Sequence, residues 1–311
     1  MNRKSRLYYY QRVLKWKLLK DRSPIVTAIK ITQRCNLHCT HCTWTNKITE
    51  DLPLAEWKGI VDNLFEKGVT TIVIEGGEPT LYSDIKEIVE YIKTKNMFVI
   101  FITNGTQDIS GIYPDVFWIS IDGMEKSDNT IRGPGHFEKA TRTIRENPDR
   151  KIIVLSTISK TNSNDIEAMC KFFSYSNSVF GLMFNFEYPY SDIEDFALNA
   201  DQRREVAEKI IGLKKQYPKV LSSLSYLQTV GKNKKCYPWL LVSVTADGKQ
   251  RNDCMIRHIE KDDCSKCDMC CYGELSRMFE MKRDTAIFWS KNFGLPKLIY
   301  IPPTQDSKKT V

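Results

Sequence analysis

Residues 26–42 read VTAIKITQRCNLHCTHC and hold the most informative pattern in the chain. Their first part, 26–32, is mainly apolar and β-branched, which predicts a buried strand. Three cysteines, Cys35, Cys39 and Cys42, then follow within one short segment, spaced C-x3-C-x2-C. A cubic [4Fe–4S] cluster takes one protein ligand on each iron, so three thiolates leave one iron open. An open metal position can hold a small chelating molecule, and this spacing therefore indicates an enzyme rather than an electron carrier.

The same cysteines are also compatible with a structural zinc site. Zinc takes four tetrahedral ligands, and His38 or His41 could supply the fourth. Most zinc sites built on cysteines use two C-x2–4-C pairs separated by a longer gap, whereas here the three thiols share one loop. The spacing therefore favours the iron–sulfur cluster, and zinc is the alternative.

Strand and helix patterns alternate from about residue 25 to residue 187. Repeated strand–helix units predict a parallel sheet with right-handed crossovers, and six strands are too few to close an eight-stranded barrel. The predicted fold is therefore α/β, a partial (β/α)6 TIM barrel with its site at the carboxyl ends of the strands, followed by a small Cys-rich C-terminal module. The predicted strands are 26–32, 70–75, 97–102, 115–121, 151–158 and 180–187. The predicted helices are 54–67, 83–95, 136–146, 163–175 and 201–217.

Glycine-rich and polar motifs follow the later strands at the same predicted edge. Gly76-Gly77-Glu78-Pro79 comes after the second strand, and its glycines would let the backbone approach a ligand closely or adopt a positive φ. Glu78 could accept a hydrogen bond from an ammonium group, and Arg132 could bind a carboxylate through two hydrogen bonds. Each motif alone is compatible with a turn or a surface residue, but together they would line one rim. The remaining rim motifs are Thr103-Asn104-Gly105, Ser120, Asp122-Gly123 and Gly133.

Charge and composition limit the classes of protein to which the chain can belong. The net charge is +8, and residues 1–22 alone carry eight Lys or Arg and one acid. The rest of the chain is therefore nearly neutral, and no nucleic-acid partner is expected. No run of about 18 uncharged apolar residues and no secretion signal is evident. Nine of the ten cysteines form two clusters, with Cys170 alone between them, and such clusters are typical of metal sites in a reducing cytosol rather than of disulfides.

A second cysteine group lies near the C-terminus. Residues 239–251 have strand character around Asp247-Gly248, a hairpin-turn signal, and such a hairpin would bring Cys236 and Cys254 together. Cys264 and Cys267 add a C-x2-C pair, which completes a set of four thiolates. Two fully cysteine-ligated clusters would need more than the available six cysteines, so one cluster is predicted, with Cys270 or Cys271 spare or in the place of Cys264. Structural zinc on the same thiols is the alternative.

The basic N-terminal segment has helical spacing of apolar residues at Leu7, Tyr10, Leu14 and Leu18. One interpretation is a helix that packs across the open edge of the barrel with its charged face in water. The other is an anchor on an anionic lipid surface, in which Trp16 and neighbouring tyrosines assist.

The chain resembles the radical S-adenosylmethionine (radical SAM) enzymes in the cysteine motif and the following Gly-Gly-Glu-Pro. The resemblance covers residues 25–187, and the tail extends it to about residue 275. It implies that Cys35, Cys39 and Cys42 hold the SAM-binding [4Fe–4S] cluster. His41 stands where the family usually has an aromatic residue. By the same resemblance, the residues expected to contact SAM are Gly76, Gly77, Glu78, Asn104, Ser120, Arg132 and Thr157.

This resemblance also implies the reaction and its partners. A radical SAM enzyme reductively cleaves SAM to a 5′-deoxyadenosyl radical, and flavodoxin or ferredoxin is the expected electron donor. The tail resembles the SPASM or shorter twitch module and so implies an auxiliary [4Fe–4S] cluster on some of Cys236, Cys254, Cys264, Cys267, Cys270 and Cys271. A peptide or protein, or else a lipid as in hopanoid-type members, is the expected substrate. A zinc-stabilised binding protein without turnover is the alternative from another class.

The predicted organisation follows from these segments. The chain is expected in the cytoplasm, or peripherally on the inner face of the membrane. The predicted divisions are a basic helix (1–24), the barrel (25–200), a linking helix region (201–230), the cysteine module (231–280) and a tail (281–311).

Overall fold

A computed structural model shows how the chain is arranged. It describes residues 3–43, 50–190, 194–232, 234, 236–251, 254 and 264–285, with side chains from residue 11 onward. Most of the predicted tail, 286–311, lies outside the described residues.

Six parallel strands form the central sheet, in agreement with the prediction. They pair in chain order, so their carboxyl ends lie at one edge. Most of their residues are buried, as expected for strands covered on both faces. The strands are β1 (Val26–Lys30), β2 (Thr71–Glu75), β3 (Phe98–Thr103), β4 (Val116–Ser120), β5 (Ile152–Ile158) and β6 (Gly181–Phe186).

Helices connect the strands and cover the outside of the sheet. The helices that the apolar spacing predicted are all present within a few residues of their predicted ends. An additional helix follows β4, and two more lie in the C-terminal part. The helices are α1 (Arg3–Leu18), α2 (Leu54–Glu66), α3 (Ile85–Thr94), α4 (Glu125–Arg132), α5 (His136–Glu146), α6 (Ile166–Ser174), α7 (Ala200–Gln216), α8 (Leu224–Leu227) and α9 (Cys270–Phe279).

The predicted hairpin of the C-terminal part is present and joins the same sheet. Strand β7 (Leu241–Val244) runs parallel to β1, and β8 (Gln250–Arg251) returns antiparallel to β7. The turn between them contains Gly248 with a φ of 77°. The strand order is β6-β5-β4-β3-β2-β1-β7-β8, so the cysteine-rich part extends the barrel sheet beyond β1.

A chamber lies between the inner face of the sheet and α9. Helix α9 contacts β6 and α8. Inward-facing residues of β1 to β7 line the chamber together with the first turns of α9, and its volume is about 220 Å³. The wall of the chamber consists mainly of apolar side chains. Closer to the carboxyl ends of the strands, the positions that face inward are polar.

Helix α1 packs against the rest of the protein through Val13 and Trp16, and not through the apolar positions Leu14 and Leu18 of the predicted pattern. Val13 and Trp16 are buried, whereas Leu14 and Leu18 are 56% and 70% exposed. The Trp16 ring contacts the rings of Trp239 and Phe279. The prediction that Leu14 and Leu18 form the packed side is therefore wrong, because α1 has apolar residues on two sides and its neighbours select one of them. None of the described helices is long and apolar enough to cross a membrane.

Candidate functional site

The loop that carries Cys35, Cys39 and Cys42 begins at the carboxyl end of β1. It is attached to α4 by a hydrogen bond from the Thr40 amide to the Ile131 carbonyl oxygen (2.9 Å). The three thiols are half-buried. Burial raises the pKa of Cys39 to about 11, and the charges of the other two thiols contribute. The charges of the three thiols therefore act on one another, and their joint ligation of a cluster stays a prediction.

Arg34 stabilises the base of this loop. Its guanidinium forms an ion pair with Asp51 and also hydrogen-bonds to the carbonyl oxygen of Leu81. The segment before the cysteines is thereby joined to the segments that precede α2 and follow Gly-Gly-Glu-Pro.

Gly76 and Gly77 allow two backbone segments to touch. A Cβ on Gly76 would lie 2.4 Å from the Thr32 carbonyl oxygen, and one on Gly77 would lie 2.3 Å from the Arg34 carbonyl oxygen. Neither glycine has a positive φ, so of the two uses considered for them only close approach applies. They are needed for close approach, and the segment that they approach is the backbone leading into the cysteine loop.

Glu78 connects several elements below this loop. It is fully buried, and its carboxylate accepts hydrogen bonds from the Thr80 amide and hydroxyl, the Thr103 hydroxyl and the Asn104 amide at 2.7–3.1 Å. Burial nevertheless raises the pKa of Glu78. The carboxylate thus organises the strand ends, and contact between this segment and the SAM amine stays a prediction.

Asn104 links the end of β3 to the cysteine loop. Its side-chain amide donates to the Asn36 side chain (2.9 Å), and its carbonyl oxygen lies 2.9 Å from His136 Nε2. His136 Nδ1 is 2.6 Å from Asp128, and both side chains are buried. Asn104 therefore lies beside the cluster loop, at the rim where the resemblance places a SAM contact.

Asp122 and Arg132 form a buried ion pair behind Cys39. Arg132 Nε is 2.7 Å from Asp122 Oδ2. Burial opposes the charge of Arg132, but Asp122, Cys39 and Asp128 raise its pKa above the usual range. The Thr157 amide donates to Asp122 Oδ1 (2.7 Å). Arg132 thus places a fixed positive charge near the thiols, where it favours thiolates.

His41 and Ser120 occupy different surroundings. The His41 ring stacks on Phe196, with 5.8 Å between centroids, and Nε2 lies 3.8 Å from Asp122. Burial lowers the pKa of His41. His38 is exposed, so neither histidine shows an arrangement that favours zinc in this loop. Ser120 ends β4 and is half-buried, two residues beyond Trp118 and so on the same face of the strand.

Several buried polar atoms around the loop have no hydrogen-bond partner. They are Gln33 Oε1, His41 Nδ1 and Thr43 Oγ1. Buried polar atoms normally find a partner, so such a group of atoms is typical of a site that accepts a polar ligand. Gln33, His41 and Thr43 lie in or next to the cysteine segment, so these atoms are candidates for contact with a polar ligand bound there.

Glu187 is a site residue that sequence reasoning missed. It follows β6 and is buried, and burial followed by the charge of Asp122 raises its pKa to about 8. A buried carboxyl at a strand end is hard to recognise because a single Glu after an apolar run has no distinctive spacing. Its position beside Asp122 and Arg132 makes it part of the same rim.

The thiols of the C-terminal part influence one another electrostatically. Burial raises the pKa of Cys236, and the thiols of Cys254 and Cys264 raise it further. Burial also raises the pKa of Cys267 to about 12, with contributions from Cys254 and Cys236. That these four thiols share one cluster stays a prediction.

Cys270 and Cys271 differ in their surroundings at the start of α9. Cys270 is buried near Tyr226 of α8, and its amide donates to the Asn185 side chain (2.9 Å). Burial raises the pKa of Cys271 well above its usual value, and Cys270 and Cys267 contribute. Cys271 thus adjoins the other thiols, whereas Cys270 packs in the core.

Within the described ranges, no group of three or more His, Cys, Asp or Glu side chains has the geometry to hold a metal ion. The two sets of cysteine ligands therefore stay predictions. They are supported by the spacing of the cysteines in the sequence and by the electrostatic influence of the thiols on one another.

Comparison with known proteins agrees with this arrangement. Residues 29–173 match the sequence model of the Radical SAM superfamily. This range includes the cysteine loop, Gly-Gly-Glu-Pro and the strand ends up to Thr157. This matched part, just under half of the chain, is similar to the radical SAM superfamily.

Relatives of known activity match about the same region. Fe-coproporphyrin III synthase of Methanosarcina barkeri is 32% identical over 163 residues, which are 48% of this chain and 41% of that protein. The mycofactocin maturase MftC of Mycolicibacterium smegmatis is 33% identical over 160 residues, 46% of this chain and 40% of that protein. The chain spans about two fifths of the length of these relatives.

Solved structures resemble a larger part of the chain. Streptococcus suis SuiB bound to its precursor peptide SuiA has a TM-score of 0.65 at 15% identity, covering 80% of this chain and 64% of that one. The protein anSMEcpe with bound AdoMet has a TM-score of 0.58 at 14% identity, covering 88% and 89%. At such low identity the likeness shows the fold, which extends into the C-terminal part.

Proposed function

We propose that this chain is a radical SAM enzyme that reductively cleaves SAM at a [4Fe–4S] cluster and uses the radical to modify a peptide or protein. The observation that carries the proposal is a single loop with three half-buried thiols, Cys35, Cys39 and Cys42, at the carboxyl edge of a parallel sheet. Ligands bind at this edge in α/β proteins of this type.

The residues around the loop suit the binding of a cluster and of SAM. Cys35, Cys39 and Cys42 would hold three irons, and the positive charge of Arg132 opposes the rise in the pKa of Cys39 that burial causes. When bound, the cluster and SAM supply the one-electron cleavage that yields a 5′-deoxyadenosyl radical.

The backbone around Gly76 and Gly77 holds the loop in place through the close contacts described above. Ser120, Thr157 and Asn104 remain the candidates for contacts with the rest of SAM. The side chains near them are buried or paired, which would keep water away from the reacting atoms.

A peptide substrate is favoured by the names of several relatives. MftC is a mycofactocin maturase, and the SuiB structure contains the precursor peptide SuiA. A sporulation killing factor maturation protein, SkfB of Bacillus subtilis, is also 28% identical over 155 residues. A lipid substrate is the second candidate, supported by the exposed apolar side of the basic helix α1.

The C-terminal thiols support a proposed auxiliary [4Fe–4S] cluster in a SPASM- or twitch-like module. Cys236, Cys254 and Cys267 are the central ligands of this proposal, with Cys264 or Cys271 as the fourth. Flavodoxin or ferredoxin is the proposed electron donor.

Anaerobic reconstitution with iron and sulfide tests the function. We expect a brown protein that forms 5′-deoxyadenosine from SAM when reduced, measured by chromatography. A colourless protein that retains only zinc and leaves SAM intact would overturn the proposal in favour of a zinc-stabilised binding protein.

Contact with the inner face of a membrane is a separate proposal. Leu14, Leu18 and Leu19 are exposed beside Lys15 and Lys17, a combination that suits an anionic lipid surface. Trp16 is buried against the protein and is not available for this contact. Replacing both lysines by Glu should abolish co-sedimentation with anionic vesicles, and unchanged co-sedimentation would refute the proposal.

A further inference from the structure

The chamber between the sheet and α9 is lined mainly by apolar side chains. Side chains such as Val73, Ile100, Trp118 and Met183 make most of its lining apolar. Its volume of about 220 Å³ exceeds that of apolar cavities of about 150 Å³ that bind benzene. The chamber is therefore large enough for an extended aliphatic side chain or a ring.

The charged side chains that line this chamber are both acidic. They are Glu75, at the end of β2, and Glu274, in α9. Glu75 forms an ion pair with Lys30, with 3.0 Å between Nζ and Oε1. Lys30 therefore compensates the charge of Glu75. Glu274 is left as the acidic group of the chamber that has no ion-pair partner among the described residues.

Glu274 is the carboxyl that has no ion-pair partner among the described residues. It is 1% exposed, and its Oε1 accepts a hydrogen bond from the Ser223 amide (2.7 Å). Its Oε2 is buried without a hydrogen-bond partner. Within the described residues, no cationic nitrogen lies within salt-bridge distance of Glu274, and Lys214 acts on it only from longer range. Burial raises the pKa of Glu274 to about 7, because its charge is costly in this position, and a positive charge beside the carboxyl would relieve that cost.

We propose that the chamber binds a ligand with an apolar stem and a terminal ammonium group, and that Glu274 Oε2 binds the ammonium. The apolar walls suit the stem, and the unpartnered carboxylate oxygen suits the positive end. Resting on the proposed function, this assigns the substrate class as a peptide residue that carries an amine on an aliphatic chain.

The chamber is also connected to both segments that carry cysteines. Glu75 directly precedes Gly76, which contacts the backbone leading to the cysteine loop. Cys271, which adjoins the C-terminal thiols, lines the chamber as well. A ligand in the chamber would therefore lie between the two cysteine groups.

Binding of two matched probes to the reconstituted protein tests the proposal. The probes are Nα-acetyl-lysine methylamide and Nα-acetyl-norleucine methylamide, which differ in the ammonium, and calorimetry under anaerobic conditions measures their Kd. We expect the lysine probe to bind at least about tenfold more tightly. Equal affinity for the two probes, or no binding of either, would overturn the proposal.

Three variants assign the effect to the chamber. Glu274→Gln should remove the preference for the lysine probe, and Ala28→Phe, which fills the chamber from β1, should weaken both probes. Glu167→Gln, on the exposed surface of α6, is the matched control and should behave as the wild type. A preference that survives Glu274→Gln contradicts the assignment. If Glu274→Gln does not fold, the wild-type probe pair and Ala28→Phe still decide the question.

The probe experiment is independent of turnover. A protein that cleaves SAM but does not distinguish the probes refutes the pocket alone. A protein that prefers the lysine probe but never cleaves SAM refutes the proposed function and leaves the pocket standing.

Discussion

At the scale of single residues, Asp122 connects three parts of the rim. It pairs with Arg132, accepts a hydrogen bond from the Thr157 amide, and lies near His41. Its own amide donates to Asp128 (2.7 Å). One buried carboxylate thus joins β5 and α4 to the cysteine loop, and it keeps Arg132 charged near Cys39.

Replacement of Cys39 by Ala tests the ligand assignment. We expect the variant to form no 5′-deoxyadenosine and to lose the iron of the first cluster while retaining that of the C-terminal thiols, as measured by iron counting and chromatography. Cys170→Ala is the control, because Cys170 is a buried thiol in α6 away from both groups. No loss of iron in Cys39→Ala would contradict the assignment.

A single methyl group at position 77 should displace the cysteine loop. The new Cβ of Gly77→Ala would lie 2.3 Å from a backbone oxygen, which cannot rotate away. We expect a loss of about 1–3 kcal/mol in the free energy of unfolding and impaired cluster assembly. Urea denaturation and iron counting measure both effects.

Gly212→Ala is the matched control, since Gly212 lies within α7 and its Cβ would meet nothing within 4 Å. It should raise the stability by about 0.5–1 kcal/mol. Equal effects of the two substitutions would show that position 77 is not a close contact.

Glu187 should make the stability depend on pH. Its pKa is raised from 4.5 to about 8, so the folded protein holds a proton that the unfolded chain releases between these values. The contribution of this group to the free energy of unfolding therefore falls as the pH rises from about 4.5 towards 8. The Glu187→Gln variant should be less sensitive to pH in this range and more stable than the wild type near pH 8. Urea denaturation between pH 4.5 and 8 measures the free energy of unfolding of both proteins. If this free energy depends on pH in the same way in both, Glu187 is not the cause.

Sequence reasoning recognised the motif residues of the site but not their partners. The cysteines, Gly76 and Gly77 were identifiable because their spacing is distinctive. The hydrogen bonds of Glu78 and the burial of Glu187 depend on which loops meet in three dimensions, and a pattern within one segment does not contain that information.

At the scale of elements, α1 shows how packing selects between two apolar sides. Arg12 and the Trp16 indole donate hydrogen bonds to the Ser23 carbonyl oxygen at 3.0 Å, which holds the helix against the segment before β1. The opposite side, with Leu18, is exposed. The charge pattern alone could not decide which side would pack.

Two substitutions in α1 should reduce stability to very different extents. Trp16→Ala removes a ring packed on Trp239 and Phe279 and should cost about 3–5 kcal/mol in the free energy of unfolding. Leu18→Ala removes an exposed side chain and should change it by less than about 0.5 kcal/mol. Chemical denaturation measures both, and similar losses would contradict the observed packing of α1.

Helices with clear apolar spacing were predictable, and α4 was not. Its sequence, EKSDNTIR, is almost entirely polar and has no apolar period. The helix nevertheless positions Ile131 and Arg132 against the cysteine loop, so its importance comes from tertiary contacts rather than from local pattern.

At the scale of the whole molecule, the cysteine-rich part completes the sheet. Strand β7 pairs with β1 along Val26–Ile29, and α9 packs against β6 at the other end of the strand order. The predicted module boundary near residue 231 thus separates segments that share one sheet. The strand–helix alternation predicted the six central strands but not this pairing, because β7 lies far away in sequence.

A chain truncated after residue 230 should not fold into an independent barrel. The truncation would expose the β1 edge and the inner face now covered by α9, and we expect aggregation and no cooperative unfolding transition. Circular dichroism during thermal melting provides the measurement. A soluble, cooperatively melting fragment would show that residues 25–230 form a domain on their own.

The pairing of β1 with β7 also bears on how the protein is made. The ribosome releases β1 more than about 200 residues before its second neighbour exists. Until then the nascent polypeptide displays a bare row of amides and carbonyls, open to mispairing with other chains. Expression at low temperature together with chaperones should therefore increase the yield of natively folded protein.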